Sequence, residues 1–396
     1  MSAIKTLKDN VNVFNKRVIL RSDLNVPIIN NEIQDLTRIK LCIPFLEELL
    51  EKGAKVLLIS HLGRPKNSSD KNYSLEPVFE YLKKNIKNNI FFHSEKINSE
   101  TKKKISFLKQ GEIILFENIR FNDGEVQNDD GFAKNLSSIG DIYINDAFSC
   151  SHRKQASVHK VTEYLKESYG GPSLIKEVDS LNLIMNNKQK PVTCIIGGSK
   201  VSTKLGVIIS LIQKVDNLVI VGAMANNFIK YKGLKFGRSL IEKNSEKTIS
   251  KIYDQLNNSD CKMILPTDFV VSSNLNGVPI EKNQENIGDE DMILDIGVET
   301  LNRIHAIINN SKTVMWNGPA GYFENKKFAK GTIAIAEMIT NSTMRNSLTS
   351  IVGGGDTVSA IKNSGLNANF THLSTAGGAF LEYIEGKNLP GIEVLK

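Results

Sequence analysis

The sequence predicts an α/β protein of two domains, each a parallel β-sheet flanked by helices. Three observations predict it. The chain has 396 residues, more than one ordinary core holds and enough for two domains of roughly 150 to 200 residues each. Short apolar runs recur in both halves, each followed by a glycine or polar cluster and then by a longer stretch of helical period, the signature of repeated β-α units. A break at Tyr169-Gly170-Gly171-Pro172 separates the two halves.

In the first half the runs place strands at 17–20, 55–60, 90–92, 113–116 and 142–144, with helices between them. The clearest helix is 37–52, where Ile39, Ile43, Leu46 and Leu50 form one apolar stripe behind a cap at Asp35. Pro44 inside it predicts a kink. The second half repeats the scheme with strands at 192–196, 218–221, 263–265, 314–316, 350–352 and 371–373. Between the halves a helical segment, 173 to about 185, reads as the interdomain connector. No repeat of 20 to 50 residues is evident, which argues against a solenoid.

Bulk composition narrows the function. Hydrophobic residues make up 40% and charged residues 23%, as in soluble globular proteins. No apolar run approaches the roughly 20 residues of a membrane span. The start, MSAIKTLKDN, lacks an apolar signal core, so a cytoplasmic location is expected. Cys42, Cys150, Cys194 and Cys261 are scattered without metal-ligand spacing and read as buried, reduced thiols. The net charge of +7 is spread without a basic stripe or aromatic-interleaved motif, so nucleic acid is not the expected partner. Arginine is more telling, because only nine of the fifty basic residues are Arg and six of those lie between Arg17 and Arg153.

In open α/β sheets, ligands bind outside the carboxyl ends of the strands, where loops and helix N-termini converge. The unusual residues cluster at those ends. On the first sheet they are RSDLNVP (21–27), HLGRP (61–65), ENIRF (117–121) and DAFSCSHR (146–153), with Arg38 opening the helix after the first loop. Five arginines, His61 and His152 thus gather on one edge. The guanidinium fork grips phosphate or carboxylate in a way Lys cannot. One such Arg would be read as a surface ion pair, but five on one edge point to a polyanion. Asp23 and Asn25 fit either a turn or a contact to a substrate hydroxyl.

On the second sheet the strand ends carry GGSKVSTK (197–204), GAMAN (222–226), LPTDF (265–269), WNGPAGYFE (316–324), GGGDT (353–357) and STAGG (374–378). Glycines admit backbone N–H groups close to phosphate oxygens, and a helix N-terminus adds a favourable field. A single Gly pair could be a tight strand-to-helix turn and nothing more. Three such loops beside Lys200, Lys204 and Asp356 point to nucleotide phosphates. The Walker-A, GxGxxG and protein-kinase signatures are all absent from the sequence.

Taken together, RSDLNVP, HLGRP, ENIRF, GGSKVSTK, LPTDF, WNGPAGYFE, GGGDT and EGKNLPG (385–391) closely resemble the phosphoglycerate kinase family, in order and spacing from end to end. The resemblance implies two Rossmann-like domains with an interdomain helix and a cleft: 1–172 binding phosphoglycerate, a connector at 173–187, 188–385 binding nucleotide, and a tail, 386–396, packing back on the first domain. It implies that Asp23, Asn25, Arg38, His61, Leu62, Gly63, Arg64, Arg120 and Arg153 hold the substrate, with His152 lending positive field. Arg38, Lys200 and Lys204 would be catalytic. Lys204, Asn317, Pro319, Glu324, Gly354, Gly355, Asp356 and Thr357 would bind ADP or ATP, with Asp356 taking Mg²⁺. A monomer is expected on the same ground. The sequence departs from the family pattern at Ser149, Gln155, Ala223, Ala376 and Phe380. Gln155 stands where many relatives carry a basic-patch His, though its amide still donates a hydrogen bond.

The reaction so implied, reversible Mg²⁺-dependent phosphoryl transfer from 1,3-bisphosphoglycerate to ADP giving 3-phosphoglycerate and ATP, needs no base, because both attacking oxygens are already ionised near neutral pH. Catalysis reduces to aligning two polyanions and stabilising a metaphosphate-like group in flight, which predicts closure of the two domains on each other. The competing readings are another two-domain α/β enzyme, a synthetase or dehydrogenase, and an inactive relative acting as a binding protein.

Overall fold

The computed structural model describes residues 3–7, 11–67, 70–186, 189–345, 347–366 and 368–396. The expected end of the connector, Asn187 and Lys188, lies outside them. The chain divides into two compact units: residues 1–178 with Asn388–Lys396, and Asp179–Lys387. The division falls inside the helix Pro172–Met185.

The first unit is built on six parallel strands in the order Ile90–His93, Ile113–Phe116, Lys55–Ile59, Arg17–Arg21, Ile142–Asn145, Ser168–Gly170. Leu20 pairs with Leu58 on one side and Ile144 on the other. Because side chains alternate across a strand, Val18, Leu20, Val56, Leu58, Ile113 and Leu115 share one core face. The helix Thr37–Glu51 covers it with Ile39, Cys42, Phe45, Leu46, Leu49 and Leu50. Its buried face is thus wider than the predicted stripe, and Ile43 is only partly buried. The helix runs on through Pro44, and its N-cap is Leu36, which makes no side-chain cap bond, instead of the expected Asp35, whose Oδ1 accepts the Thr37 N–H at 2.9 Å. The sequence places a chain break at 169–172, yet Ser168–Gly170 is the sixth strand, pairing with Tyr143–Asn145. Asp146, at the end of Ile142–Asn145, then accepts the Ser173 and Leu174 N–H groups at 2.6 and 3.3 Å and so caps the following helix.

The second unit carries six parallel strands in the order Lys262–Ile264, Asn217–Ile220, Val192–Ile196, Thr313–Asn317, Thr349–Gly353, His372–Ser374. Numbered along this unit the order is 3-2-1-4-5-6, that of the doubly wound dinucleotide-binding fold, which puts its switch point between Val192–Ile196 and Thr313–Asn317. The core beside it holds Ile195, Val219, Val314, Trp316 and Val352 under Ile304, Ile335 and Ile339 of two helices. A further antiparallel sheet, Ile280–Asn283, Asp268–Ser272, Met292–Ile296, is a feature the sequence pattern does not predict. All four cysteines are free and buried, as expected. Among the described residues no helix is long and apolar enough to cross a membrane.

Candidate active site

At the carboxyl edge of the first sheet, the strand Arg17–Arg21 ends in a fully buried arginine. The chain then turns through Asp23 and Asn25. Arg38 Nη1, on the helix that follows, donates to Asp23 Oδ1 at 3.1 Å and to the Asn25 carbonyl at 2.7 Å, so the loop aims the guanidinium. Asn25 Oδ1 accepts the Gly63 N–H at 2.8 Å, tying this loop to the next. The buried Asn118 holds Leu62 by both backbone groups, accepting its N–H at 3.2 Å and donating to its carbonyl at 2.7 Å. Arg120 Nη1 donates to the Gly63 carbonyl at 2.5 Å. Gly63 has φ +56°, and a Cβ there would lie 2.1 Å from the Tyr73 ring, so only glycine fits.

The field on this edge is strongly positive. His61 is buried, and its imidazole is held well below its ordinary value by burial first, then by Arg21, Arg120, Arg38 and Arg153. Arg120 is pushed down to about 10 by burial, with Arg21 and Arg153 adding to it. The predicted group of Asp23, Asn25, Arg38, His61, Leu62, Gly63 and Arg120 therefore meets on one edge, with Arg153 within electrostatic reach. Arg64 stands exposed, and His152 is half-buried. Gln155 is buried, and its Oε1 accepts from Arg120 Nη2 at 3.5 Å.

At the second unit's switch point, Lys204 Nζ donates to the Gly197 carbonyl at 2.6 Å and to Asn317 Oδ1 at 2.9 Å. Burial pushes its ammonium down to about 8, against the opposing pull of Asp356. Gly197 and Gly318 lie back to back: a Cβ on Gly318, whose φ is +100°, would meet the Gly197 carbonyl oxygen at 2.3 Å. The buried Thr357 Oγ1 accepts the Gly318 N–H at 2.7 Å. Gly354, also at φ +100°, caps the helix Gly355–Asn363, whose first turn carries the exposed Asp356. At Gly353 a Cβ would meet the Phe380 ring at 2.9 Å, so the departure at Phe380 packs directly beneath that loop.

Beside the switch point opens a cavity of about 440 Å³. Gly198, Pro319, Glu324 and Asp356 contribute to it, which gathers four positions from three of the predicted loops. Its apolar walls, Phe269, Met292, Ile293, Leu294 and Ile296, come from the antiparallel sheet. Lys200 is exposed and does not line it.

Sequence reasoning assigns no role to several residues that shape these edges. Asn118 lies inside a predicted loop, but only its burial and four hydrogen bonds show that it orders HLGRP. Glu125 and Ser157, both fully buried, form a pair behind the arginines. Glu125 stands among other acids, Asp123, Asp129 and Asp130, so the sequence offers no signal that sets it apart.

The phosphoglycerate kinase family model matches residues 8–387. A phosphoglycerate kinase of Wolbachia sp. subsp. Drosophila simulans is 43% identical over 390 residues, 98% of each chain. One from Xanthobacter flavus is 41% identical over the full length of both. The solved phosphoglycerate kinase of Coxiella burnetii matches with a TM-score of 0.89 at 37% identity, covering 99% of each chain. That of Pyrococcus horikoshii matches at 0.80 and 28%, over 99% of this chain and 98% of its own. With its whole length matched by relatives at this level, the chain belongs to the phosphoglycerate kinase family and is a kinase that transfers phosphate to a carboxyl group.

Proposed function

We propose that the two edges divide the phosphoglycerate kinase reaction between them. The first unit holds 3-phosphoglycerate or 1,3-bisphosphoglycerate through Arg38, Arg64, Arg120, Arg153, His61, Asp23, Asn25 and the backbone of Leu62 and Gly63, with His152 adding positive field. The second holds ADP or ATP through Lys204, Asn317, Pro319, Glu324, Gly354, Gly355, Asp356 and Thr357. The observation that carries this reading is the crowding of four arginines about one buried histidine. Such a site is costly unless it meets a polyanion. A loop of glycines with positive φ beside a lysine, at a switch point, is the complementary feature for nucleotide phosphates.

Arg38 is aimed by the Asp23 carboxylate and the Asn25 carbonyl, and its guanidinium is assigned to the transferring group. Lys204, bonded only to neutral oxygens, keeps its charge for the phosphoryl oxygens. Together with Lys200 they supply the positive charge that in-line transfer requires. No proton is moved, since carboxylate and phosphate oxygens attack as anions.

Magnesium fits the nucleotide edge. Mg²⁺ takes one or two protein carboxylates and completes its octahedron with phosphate oxygens and water, and Asp356 offers one exposed carboxylate on the cavity wall. Among the described residues no cluster of three His, Cys, Asp or Glu competes with it. When bound, the ion neutralises phosphate charge. A cytoplasmic monomer goes with this reading.

A coupled assay for ATP-dependent phosphorylation of 3-phosphoglycerate tests the proposal, and absence of turnover with Mg²⁺ present would sink it. Direct transfer needs both bound anions at near-attack distance. Small-angle scattering with both substrates is expected to report a more compact particle; an unchanged profile counts against closure. No observation favours the binding-protein alternative.

A further inference from the structure

Behind the arginine edge runs a chain of hydrogen bonds that touches no predicted substrate group until its last member. Glu125 is fully buried, and its two carboxylate oxygens accept from Ser157, one from Oγ–H at 2.7 Å and one from N–H at 2.8 Å. A serine hydroxyl has one proton, so with that proton given to Glu125 its oxygen can only accept from Arg21 Nε, which lies at 3.2 Å. The Arg21 fork is fixed further by the Ser22 carbonyl at 2.7 Å. Its remaining nitrogen, Nη2, stands 3.1 Å from His61 Nδ1. Guanidinium has no acceptor, so His61 Nδ1 must present its lone pair and the ring proton must sit on Nε2. The Tyr143 hydroxyl donates to the Ser157 carbonyl at 2.6 Å and pins the centre of the chain.

We propose that Glu125 is a positioning residue for substrate recognition: through Ser157 and Arg21 it fixes His61 as a neutral ring that meets the phosphoglycerate with an Nε2–H donor. The inference rests on the first-unit edge being the phosphoglycerate site. Its logic is electrostatic. A second proton on His61 would be opposed by Arg21, Arg38, Arg120 and Arg153 at once, and the ring's burial opposes it further. The charged or titratable groups around the chain are those four arginines, Glu125, Tyr143, Cys150 and Asp23, which is paired with Arg38. Of the two carboxylates, Asp23 is bonded to Arg38, and Glu125 is bonded through Ser157 instead of directly to a cation. The donor therefore stays the same across the working pH range, and His61 adds no charge to that of the arginines.

Nitrogen NMR on the full-length protein, with His61 assigned by His61→Gln, reads the ring directly. The wild-type ring is expected to remain neutral and protonated on Nε2 from about pH 5 to 8. Ser157→Ala removes the link between Glu125 and Arg21. It is expected to let the Nδ1-protonated tautomer appear and to raise KM for 3-phosphoglycerate about tenfold, the scale of one charge-assisted hydrogen bond, while kcat changes less than about twofold. A wild-type ring protonated on Nδ1, or titrating within that window, overturns the proposal without any variant having to fold. So does wild-type tautomer and KM in both Ser157→Ala and Glu125→Gln. The underlying assignment of the edge fails separately, if Arg38→Ala leaves KM for 3-phosphoglycerate and kcat at their wild-type values whatever the state of His61.

Discussion

Lys204 donates to Asn317 Oδ1 at 2.9 Å, a bond that spans the two strands between which the second sheet reverses its order. Neither bonding partner is an acid, and the pull of Asp356 offsets burial only in part, so burial brings the ammonium down to about 8. Below about 8 it is charged and above it neutral. The rate at subsaturating ATP is therefore expected to fall as pH rises through that region. Lys204→Arg, which stays charged, should move the fall to higher pH, and a pH profile with the same position in both proteins would remove Lys204 from the phosphate site.

Lys204→Ala and Arg38→Ala each delete one donor aimed at developing charge. Each is expected to lower kcat by ~10² or more, the usual loss for one such group. Steady-state assays at saturating 3-phosphoglycerate and ATP measure it, with circular dichroism confirming that the variants fold. Near-normal turnover takes the residue out of its proposed role.

Gly318→Ala tests the back-to-back glycines. The residue sits at φ +100°, and the new Cβ would lie 2.3 Å from a backbone oxygen that cannot swing aside. A loss of about 2 kcal/mol or more is expected from strain alone, along with weaker ATP binding. Urea unfolding and nucleotide titration read the two effects. Gly355→Ala is the control for the stability measurement alone, because a Cβ there meets nothing within 4 Å and the backbone is helical.

Asp295 supplies a pH dependence of stability. It accepts the Gly331 N–H at 2.7 Å and the Ile296 N–H at 2.9 Å, yet burial raises its carboxyl from 3.8 to about 7. Between those values the folded chain binds a proton that the unfolded chain has released. Its contribution to stability is thus complete below about 4 and is lost as pH rises through about 7. Asp295→Asn should flatten this slope in urea midpoints measured from about pH 4 to 7, and an unaltered slope would assign the titration elsewhere.

Much of the architecture was legible because burial on both faces of a parallel sheet forces continuous apolar runs, such as Val192–Ile196 and Ile113–Phe116, that stand out from their surroundings. Predicted ends differ from observed ones by a residue or so, as with Asn217–Ile220 and His372–Ser374. The antiparallel sheet was not legible for two reasons. Asp268–Ser272 begins inside the LPTDF loop, so its apolar residues read as the edge of a turn. Ile280–Asn283 is largely exposed and carries no alternation. Losing that sheet meant losing the wall of the cavity. On the first edge, composition marked the arginines, but it gave no sign that Arg21 lies wholly inside the protein and acts on its neighbours instead of on solvent. A sequence lists Glu125 as one more surface acid; only three-dimensional pairing with Ser157 reveals where its charge is spent.

The last nine residues belong to the first unit. Gly391 donates to the Ser151 carbonyl at 2.8 Å, its own carbonyl accepts from Asn145 Nδ2 at 3.2 Å, and the Lys5 N–H reaches the Leu395 carbonyl at 2.8 Å. The segment 388–396 is thereby stitched to Lys5, Asn145 and Ser151, and everything from 179 to 387 is, in the sense of chain connectivity, a very long excursion out of a single body. Synthesis completes that body only after the segment 388–396 has followed the excursion. The second unit is made in full while the first still lacks its closing stitch.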